Sequence, residues 1–371
     1  MKKVVLALSG GVDSAIAAHL LQQQGYQIYG LNLLTWGEDN QRKQVQEIAD
    51  DLNFLVEFMD IRQAFREQVV QPFIHAYQDG LTPSPCVFCN RQIKWSTILQ
   101  KADQIGADYV ATGHYARLKI AQDGKIQLWK AVDLAKDQSY MLTFLTQDML
   151  KRTVLPLGEF NKPEIRKIAS NLGLAVSERP DSQDLCFLAC TDYRDFLKEH
   201  AEQPALPGPI YHKDGRLLGQ HQGLAFYTIG QRKGLPSSTE ALYVIEKRKA
   251  DNSLIVGFLN QLGSNLFLVE QVNWISGQYP LQPIKVEVKI RYKANPAEAM
   301  VEPQADGLLK VTADKLLRDI TPGQIAAFYQ GEQLLGGGVI VEGTSDHTAG
   351  ACLQPLDTPE YAFAKGVKPS V

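Results

Sequence analysis

The sequence predicts an α/β architecture, in which a parallel sheet wrapped by helices is followed by two smaller units of short strands. Three observations carry this. Up to about residue 115, short apolar runs alternate with stretches of helical period. The proline-rich "EQPALPGP" (residues 202–209) then breaks the chain. Beyond it no long helical period returns, and short alternating runs are punctuated by Asp214-Gly215, Asp251-Asn252 and Gly336-Gly337-Gly338, read as turns.

In the first part, Val4–Leu8, Ile28–Leu34, Leu55–Met59 and Tyr109–Thr112 read as strands. Helices are expected at Ser14–Gln24, Gln41–Leu52, Ile61–Tyr77 and Lys94–Ile105. Alternation at this spacing means βαβ units and a sheet covered on both faces, though it does not fix the strand order. Arg117–Lys130 alternates and turns at Gln122-Asp123-Gly124, a hairpin expected near the edge of that sheet. Helices are expected again at Leu142–Leu150 and Lys162–Leu172, the second capped by Asn161 with Glu164 three residues on. Later strands are expected at Leu242–Glu246, Ser253–Val256, Lys285–Ile290, Leu308–Val311 and Gln324–Phe328. A chain of 371 residues exceeds one ordinary domain, and the expected division is 1–200, 201–270 and 271–360.

A hydrophobic content of 44% with 21% charged residues is that of a globular protein with ample core. No stretch approaches the roughly 18 apolar residues that span a bilayer. The first residues run straight into a strand, so a cytoplasmic location without a leader is expected. A net charge of −3 argues against coating nucleic acid through bulk positive charge. It leaves room for a local basic groove, for which Arg232-Lys233 and Lys247-Arg248-Lys249 are the candidates. Cys86, Cys89, Cys186, Cys190 and Cys352 form an odd set with no secretory context, which favours metal-binding, redox or catalytic thiols over structural disulfides.

The first strand ends in "SGGVDS", Ser9–Ser14. Parallel sheets place ligands at the carboxyl ends of their strands. Gly10 and Gly11 let backbone approach an anion, Ser9 and Ser14 add hydroxyls, and the following helix aims its N-terminus at the same spot. Neither GxxxxGK[ST] nor GxGxxG is present, so a P-loop kinase or a dinucleotide enzyme does not fit. The turn resembles the SGGxDS loop of the ATP pyrophosphatases, which cleave ATP to AMP and pyrophosphate while adenylating a carbonyl-type oxygen. That resemblance implies a pyrophosphate-loop (adenine nucleotide alpha-hydrolase-like) domain. It also implies ATP held by Ala7, Leu8, Ser9, Gly10, Gly11, Val12, Asp13 and Ser14, with Leu33 and Gly113 beside the adenosine. Asp13 would help hold a Mg²⁺ ion that neutralises the pyrophosphate.

Other motifs narrow the chemistry. "TPSPCVFCNRQIKW" (Thr82–Trp95) sets Cys86 and Cys89 in a proline-punctuated loop before a helix, whose N-terminus would lower a thiol pKa. "DSQDLCF" (Asp181–Phe187) carries Cys186. With "TGHYAR" (Thr112–Arg117), "KDQSYML" (Lys136–Leu142), "YTIGQRKGL" (Tyr227–Leu235), "IRYK" (Ile290–Lys293), "TPGQ" (Thr321–Gln324) and "LGGGVI" (Leu335–Ile340), the pattern resembles the tRNA-specific 2-thiouridylases from about residue 4 to residue 342. The resemblance implies a small β-rich central domain and a C-terminal β-barrel that binds tRNA. The implied reaction adenylates the C2 oxygen of the wobble uridine and then displaces AMP with sulfur. Cys89 aligns with the nucleophile and Cys186 with the persulfide carrier, a Cys89–Cys186 disulfide being the by-product. Contacts to tRNA are implied for His114, Lys136, Asp137, Gln138, Arg291, Tyr292 and Gln324. The implied partners are the anticodon stem-loops of tRNAs such as those for Lys, Glu and Gln, and a persulfide donor protein.

One position departs from the pattern. Many relatives carry Asp where this chain has Cys86, so the stretch is a CxxC here. That opens a second mechanism, in which Cys86, Cys89 and Cys186 ligate three irons of a [4Fe–4S] cluster and the fourth binds sulfide. Cys190 reads as a packed helix-face thiol and Cys352 as incidental. Two other functions compete: a pyrophosphate-loop ligase or amidotransferase acting on a small molecule, which needs neither Cys89 nor Cys186, and a non-enzymatic RNA-binding protein.

Overall fold

The structure, a computed structural model, describes residues 1–39, 41–178, 185–188 and 191–341. Cys190, Cys352 and the first residues of the DSQDLCF motif lie outside the described residues.

The N-terminal sheet is built from β1 (Lys3–Ala7), β2 (Gln27–Leu34), β3 (Leu55–Asp60) and β4 (Tyr109–Ala111). The hairpin β5 (Ala116–Ile120) and β6 (Ile126–Lys130) follows, then the short β7 (Thr153–Val154). The sheet runs β3-β2-β1-β4-β7 with every pair parallel. Val4, Val5 and Leu6 on the central β1 are fully buried, as expected of a strand covered on both faces. Helix α1 (Val12–Gln23) buries residues nearly all round. It lies between the sheet and the helix Lys162–Asn171, whose Ile165 and Ala169 share its core. Helix α2 (Arg42–Asp51) sends Val45 and Ile48 into the same cluster. The strand order reverses direction at β1, so the crevice beyond the ends of β1 and β4 is the place where such sheets bind ligands.

Several expectations change. The hairpin forms but does not extend the parallel sheet; β6 pairs with the last strand of the C-terminal barrel, Leu128 opposite Leu334. The helix expected over Leu142–Leu150 shrinks to Gln147–Lys151, preceded by a 3₁₀ turn at Ser139–Leu142. Thr146 is the reason: its hydroxyl accepts from Met149 N–H and starts the helix there. The cysteines Cys86 and Cys89 lie in a short helix, Pro85–Cys89, which runs through a π-helical turn (Asn90–Trp95) into the helix Ser96–Ile105. The expected capping holds at Asn161, whose N–H donates to Glu164 Oε2 at 2.8 Å.

The central unit is a four-stranded sheet of β8 (Gly208–His212), β9 (Leu217–His221), β10 (Tyr243–Arg248) and β11 (Ser253–Gly257), in the order β10-β11-β8-β9. The last unit comprises β12 (Ser264–Trp274), β13 (Ile284–Lys289), β14 (Ala297–Pro303), β15 (Leu309–Leu317), β16 (Ile325–Gln330) and β17 (Gln333–Val341). These run β12-β15-β14-β13-β16-β17, and a β12–β17 pairing closes them into a barrel around Phe267, Val301, Val311 and Phe328. The three glycines Gly336–Gly338 are not a turn but the middle of β17. A Cβ at Gly336 would lie 2.3 Å from Asn273 O, and one at Gly337 2.3 Å from Ala326 O, so side chains there would hold the neighbouring strands apart. Among the described residues no helix is long and apolar enough to cross a membrane.

Candidate active site

The glycine turn caps the ligand crevice. Gly10 adopts φ +78°, and a Cβ there would meet Val45 Cγ2 at 3.1 Å, so the position requires glycine on both grounds. The Gln44 side-chain amide donates to Gly10 O. Ser14, buried, donates its hydroxyl to Gly11 O at 3.0 Å and accepts from Ser9 N–H at 3.2 Å, which draws the loop over the start of α1. Leu8 is tied to β2 through its N–H to Leu31 O and through Asn32 Nδ2, which donates to Leu8 O. Gly113, just past β4, packs on the same turn: its added Cβ would stand 3.0 Å from the Asp13 carbonyl carbon. Leu33 lies near the end of β2. The outcome is a cradle of glycine backbone, hydroxyls and first-turn N–H groups that fits a phosphate chain.

Asp13 is not free within this cradle. Lys162, 6% exposed at the start of its helix, places Nζ 2.7 and 2.8 Å from the two Asp13 oxygens. Tyr115 OH donates to Asp13 Oδ1 at 2.6 Å. Neither Lys162 nor Tyr115 was singled out from sequence. The signal was present in the Asn161–Glu164 helix start, but nothing in one sequence links that start to a turn at the N-terminus.

The three thiols share one neighbourhood. Cys89 is buried, Cys86 partly so, and Cys186 exposed. Charge on Cys186 raises the pKa values of both Cys86 and Cys89, and charge on Cys86 raises that of Cys89, so the three sit within electrostatic reach. Phe187 anchors the Cys186 segment by ring contacts with Phe65, Phe73 and Trp36, the last just beyond β2. The expected lowering of a thiol pKa by a helix N-terminus is overturned. Burial pushes Cys89 up to about 12 and also raises Cys86 and Cys186, with the protein packed around Cys186 outweighing its open side. Lys94, in the π-helical turn, is the cation that pulls all three down. Among the described residues no three His, Cys, Asp or Glu side chains gather around a single metal position.

The residues expected at the RNA fall into two groups. His114 is packed against Trp95 and bonded through Nδ1 to Thr112 Oγ1, and burial, reinforced by Lys94, pulls it to about 3, which leaves it neutral rather than a cationic phosphate contact. Asp137 is buried and spends its carboxylate on Ala131 N–H, Ser139 N–H and Ser139 Oγ, so it braces a loop. Gln138 accepts from Tyr115 N–H, and Arg291 donates to Ile229 O and to Thr321 Oγ1. Gln324 donates to Thr82 O and Pro83 O, directly upstream of Cys86. Tyr292 and Lys136 remain partly exposed, and Lys289 Nζ lies 5.5 Å from the Tyr292 ring centroid. In the second basic cluster only Lys247 is spent inside the protein, and the other two side chains lie in exposed ion pairs. Lys247 is buried and donates to Tyr227 O, Arg248 pairs with Glu246, and Lys249 pairs with Asp79.

Comparison with known proteins agrees in all three parts of the chain. Residues 2–190 match the family described as "tRNA methyl transferase HUP domain", 194–258 the "tRNA methyl transferase PRC-barrel domain", and 264–340 the "Aminomethyltransferase beta-barrel domain". The chain is 40% identical over 355 residues to a protein of Desulforamulus reducens named tRNA-specific 2-thiouridylase MnmA, covering 91% of this chain and 97% of that one. It is 41% identical over 353 residues to the protein of that name from Chloroflexus aurantiacus strain J-10-fl, covering 92% and 98%. With the Clostridioides difficile protein of the same name it shares 37% over 353 residues, 91% and 98% of the two chains. On this likeness along nearly its whole length, the chain belongs to the tRNA-specific 2-thiouridylase family.

Proposed function

We propose that the chain thiolates the wobble uridine of tRNA, using ATP to activate the C2 oxygen and a persulfide on Cys186 as the sulfur source. The observation that supports this best is the placement of two chemistries at one edge of the sheet: the phosphate cradle beyond β1, and the Cys186 segment held by Trp36 beyond β2. In this reading residues 1–200 form the catalytic unit, 201–270 a central spacer and 271–360 the tRNA-binding barrel, in a cytoplasmic enzyme.

The cradle holds the triphosphate of ATP, with Ser9, Ser14 and the first-turn N–H groups on the departing pyrophosphate. A Mg²⁺ ion would be held by phosphate oxygens with Asp13, one of whose oxygens would turn from Lys162 to the metal, and would supply charge neutralisation at that pyrophosphate. The uridine C2 oxygen attacks the α-phosphorus and pyrophosphate leaves. The terminal sulfur of the Cys186 persulfide then attacks C2 and AMP departs, taking the original oxygen. Cys89 attacks Cys186 Sγ, the sulfur–sulfur bond to the base breaks, and its electron pair stays on the 2-thio group. The proton from Cys89 goes to the base, and the Cys89–Cys186 disulfide awaits a dithiol reductant.

The exposures suit these roles. Cys186, exposed, is open to a donor protein, whereas Cys89, 5% exposed, meets only what Cys186 brings. The substrates are tRNAs with a wobble uridine, such as those for Lys, Glu and Gln. Mass spectrometry of digested tRNA after incubation with ATP, Mg²⁺ and a persulfide donor tests the reading. Formation of 2-thiouridine, dependent on both Cys89 and Cys186, is expected; no product from folded, tRNA-bound protein overturns it.

A further inference from the structure

We infer that Gln324 is a positioning residue for the sulfur chemistry, through which the C-terminal barrel sets the placement of the loop that leads into Cys86 and Cys89. This rests on the function proposed above and assigns the barrel a task besides holding RNA.

The contact is made by backbone and side chain together. Gln324 Nε2 donates to Thr82 O at 2.8 Å and to Pro83 O at 3.2 Å, across 242 and 241 residues of chain. Thr82 N–H donates in return to Pro322 O at 2.9 Å. Gly323 adopts φ +90°, and a Cβ there would stand 3.1 Å from Leu81 Cβ, Thr82 N and Thr82 O, so the barrel loop is shaped to let this segment approach. Among the described residues the buried Thr82 hydroxyl has no partner, so the loop is held there by its main chain. Two further bonds reinforce the junction. Tyr140 OH donates to Ile325 O at 3.0 Å, next to Gln324, and Arg291 donates to Thr321 Oγ1 at the other end of the TPGQ motif.

The consequence follows from the short path. Pro83 is three residues from Cys86, and Pro85 begins the helix that ends at Cys89. Proline at 83 and 85 leaves this connection little backbone freedom, so a shift at Thr82–Pro83 carries into the helix. A side-chain amide that satisfies two consecutive carbonyls fixes both the height and the rotation of the helix start. A loop freed from it moves Cys89 relative to Cys186 and lets solvent in behind the thiol.

The test uses the full-length enzyme with Gln324→Ala and the isosteric Gln324→Glu, which keeps the volume but removes the donor. Three quantities are read: tRNA affinity by filter binding, single-turnover thiolation, and the rate at which iodoacetamide modifies Cys89, followed by peptide mass spectrometry. Positioning predicts that, at tRNA concentrations that saturate each protein, both variants lose about tenfold in the single-turnover thiolation rate and expose Cys89 to alkylation about tenfold faster. Gly323→Ala, which pushes on the same loop from the barrel side, is expected to give the same signature should either Gln324 variant fold poorly. Weakened tRNA binding with an unchanged Cys89 alkylation rate would make Gln324 an RNA contact and overturn the inference. Wild-type protein that makes no 2-thiouridine while the alkylation differences persist would overturn the proposed function and leave the positioning role standing.

Discussion

Lys162 Nζ bonds both carboxylate oxygens of Asp13, at 2.7 and 2.8 Å, and joins the helix Lys162–Asn171 to the glycine turn across 149 residues. Without a cation beside it, Asp13 would repel an arriving triphosphate; with Lys162 in place the turn carries no net charge from this pair. The same ammonium lies where pyrophosphate charge develops in the proposed reaction.

Lys162→Met is therefore expected to bind tRNA normally and to lose about 100-fold in ATP–pyrophosphate exchange, the size seen when one preorganised donor is removed from a developing anion. Pyrophosphate release measured with tRNA present checks this. Exchange within about twofold of wild type would leave Lys162 a structural partner of Asp13 and nothing more.

Lys94 gives a second expectation. Burial raises Cys86, Cys89 and Cys186; Lys94 pulls all three back, joined at Cys186 by hydrogen bonds from Thr35 and the backbone. Lys94→Met should raise the pH at which Cys186, the exposed thiol, becomes alkylated at half-maximal rate. Lys94→Arg should restore the wild-type profile. An unchanged profile in Lys94→Met would show that the cation does not serve the thiols.

Lys247 supplies a pH dependence whose sign is fixed. Burial lowers it from the ordinary 10.5 to about 7 in the folded protein. Between those values the unfolded chain binds the proton and the folded one does not, so stability rises with pH across that window. Below about 7 both states are protonated and the full cost of the buried charge remains. Urea unfolding of the wild type at pH 7.0 and 8.5 should show stability rising, relative to Lys247→Met, by up to about 1.4 kcal/mol per pH unit. Parallel pH dependences in the two proteins would contradict this.

Much of this was legible in the sequence, and what was not has physical causes. The glycine turn, the parallel sheet and the closed barrel could be read because each has a local signal: glycine where φ turns positive, apolar runs between helical periods, and alternation with turn residues. The Gly336–Gly338 run was misread because close packing between strands selects glycine as strongly as a turn does, and only the neighbouring carbonyls of Asn273 and Ala326 distinguish the two. The thiol pKa direction failed for a related reason. A helix N-terminus is visible in sequence, but the burial that overrides it at Cys89 comes from Phe65, Phe73, Ile93 and Phe187, drawn from separate segments. Arg291, Asp137 and Gln324 were expected at the RNA; in the structure each makes hydrogen bonds with partners inside the protein, and for Arg291 and Gln324 those partners lie far away in the chain.

The pairing of Cys89 with Cys186 is tested most directly by one assay. Iron-free protein is incubated anaerobically with ATP, Mg²⁺, tRNA and a persulfide donor, and 2-thiouridine is measured by mass spectrometry for the wild type, Cys89→Ser and Cys186→Ser. Product from the wild type, with none from either variant although both still bind tRNA, is the predicted result. Product from either variant, or none from the wild type until iron and sulfide are restored, would contradict a two-cysteine relay.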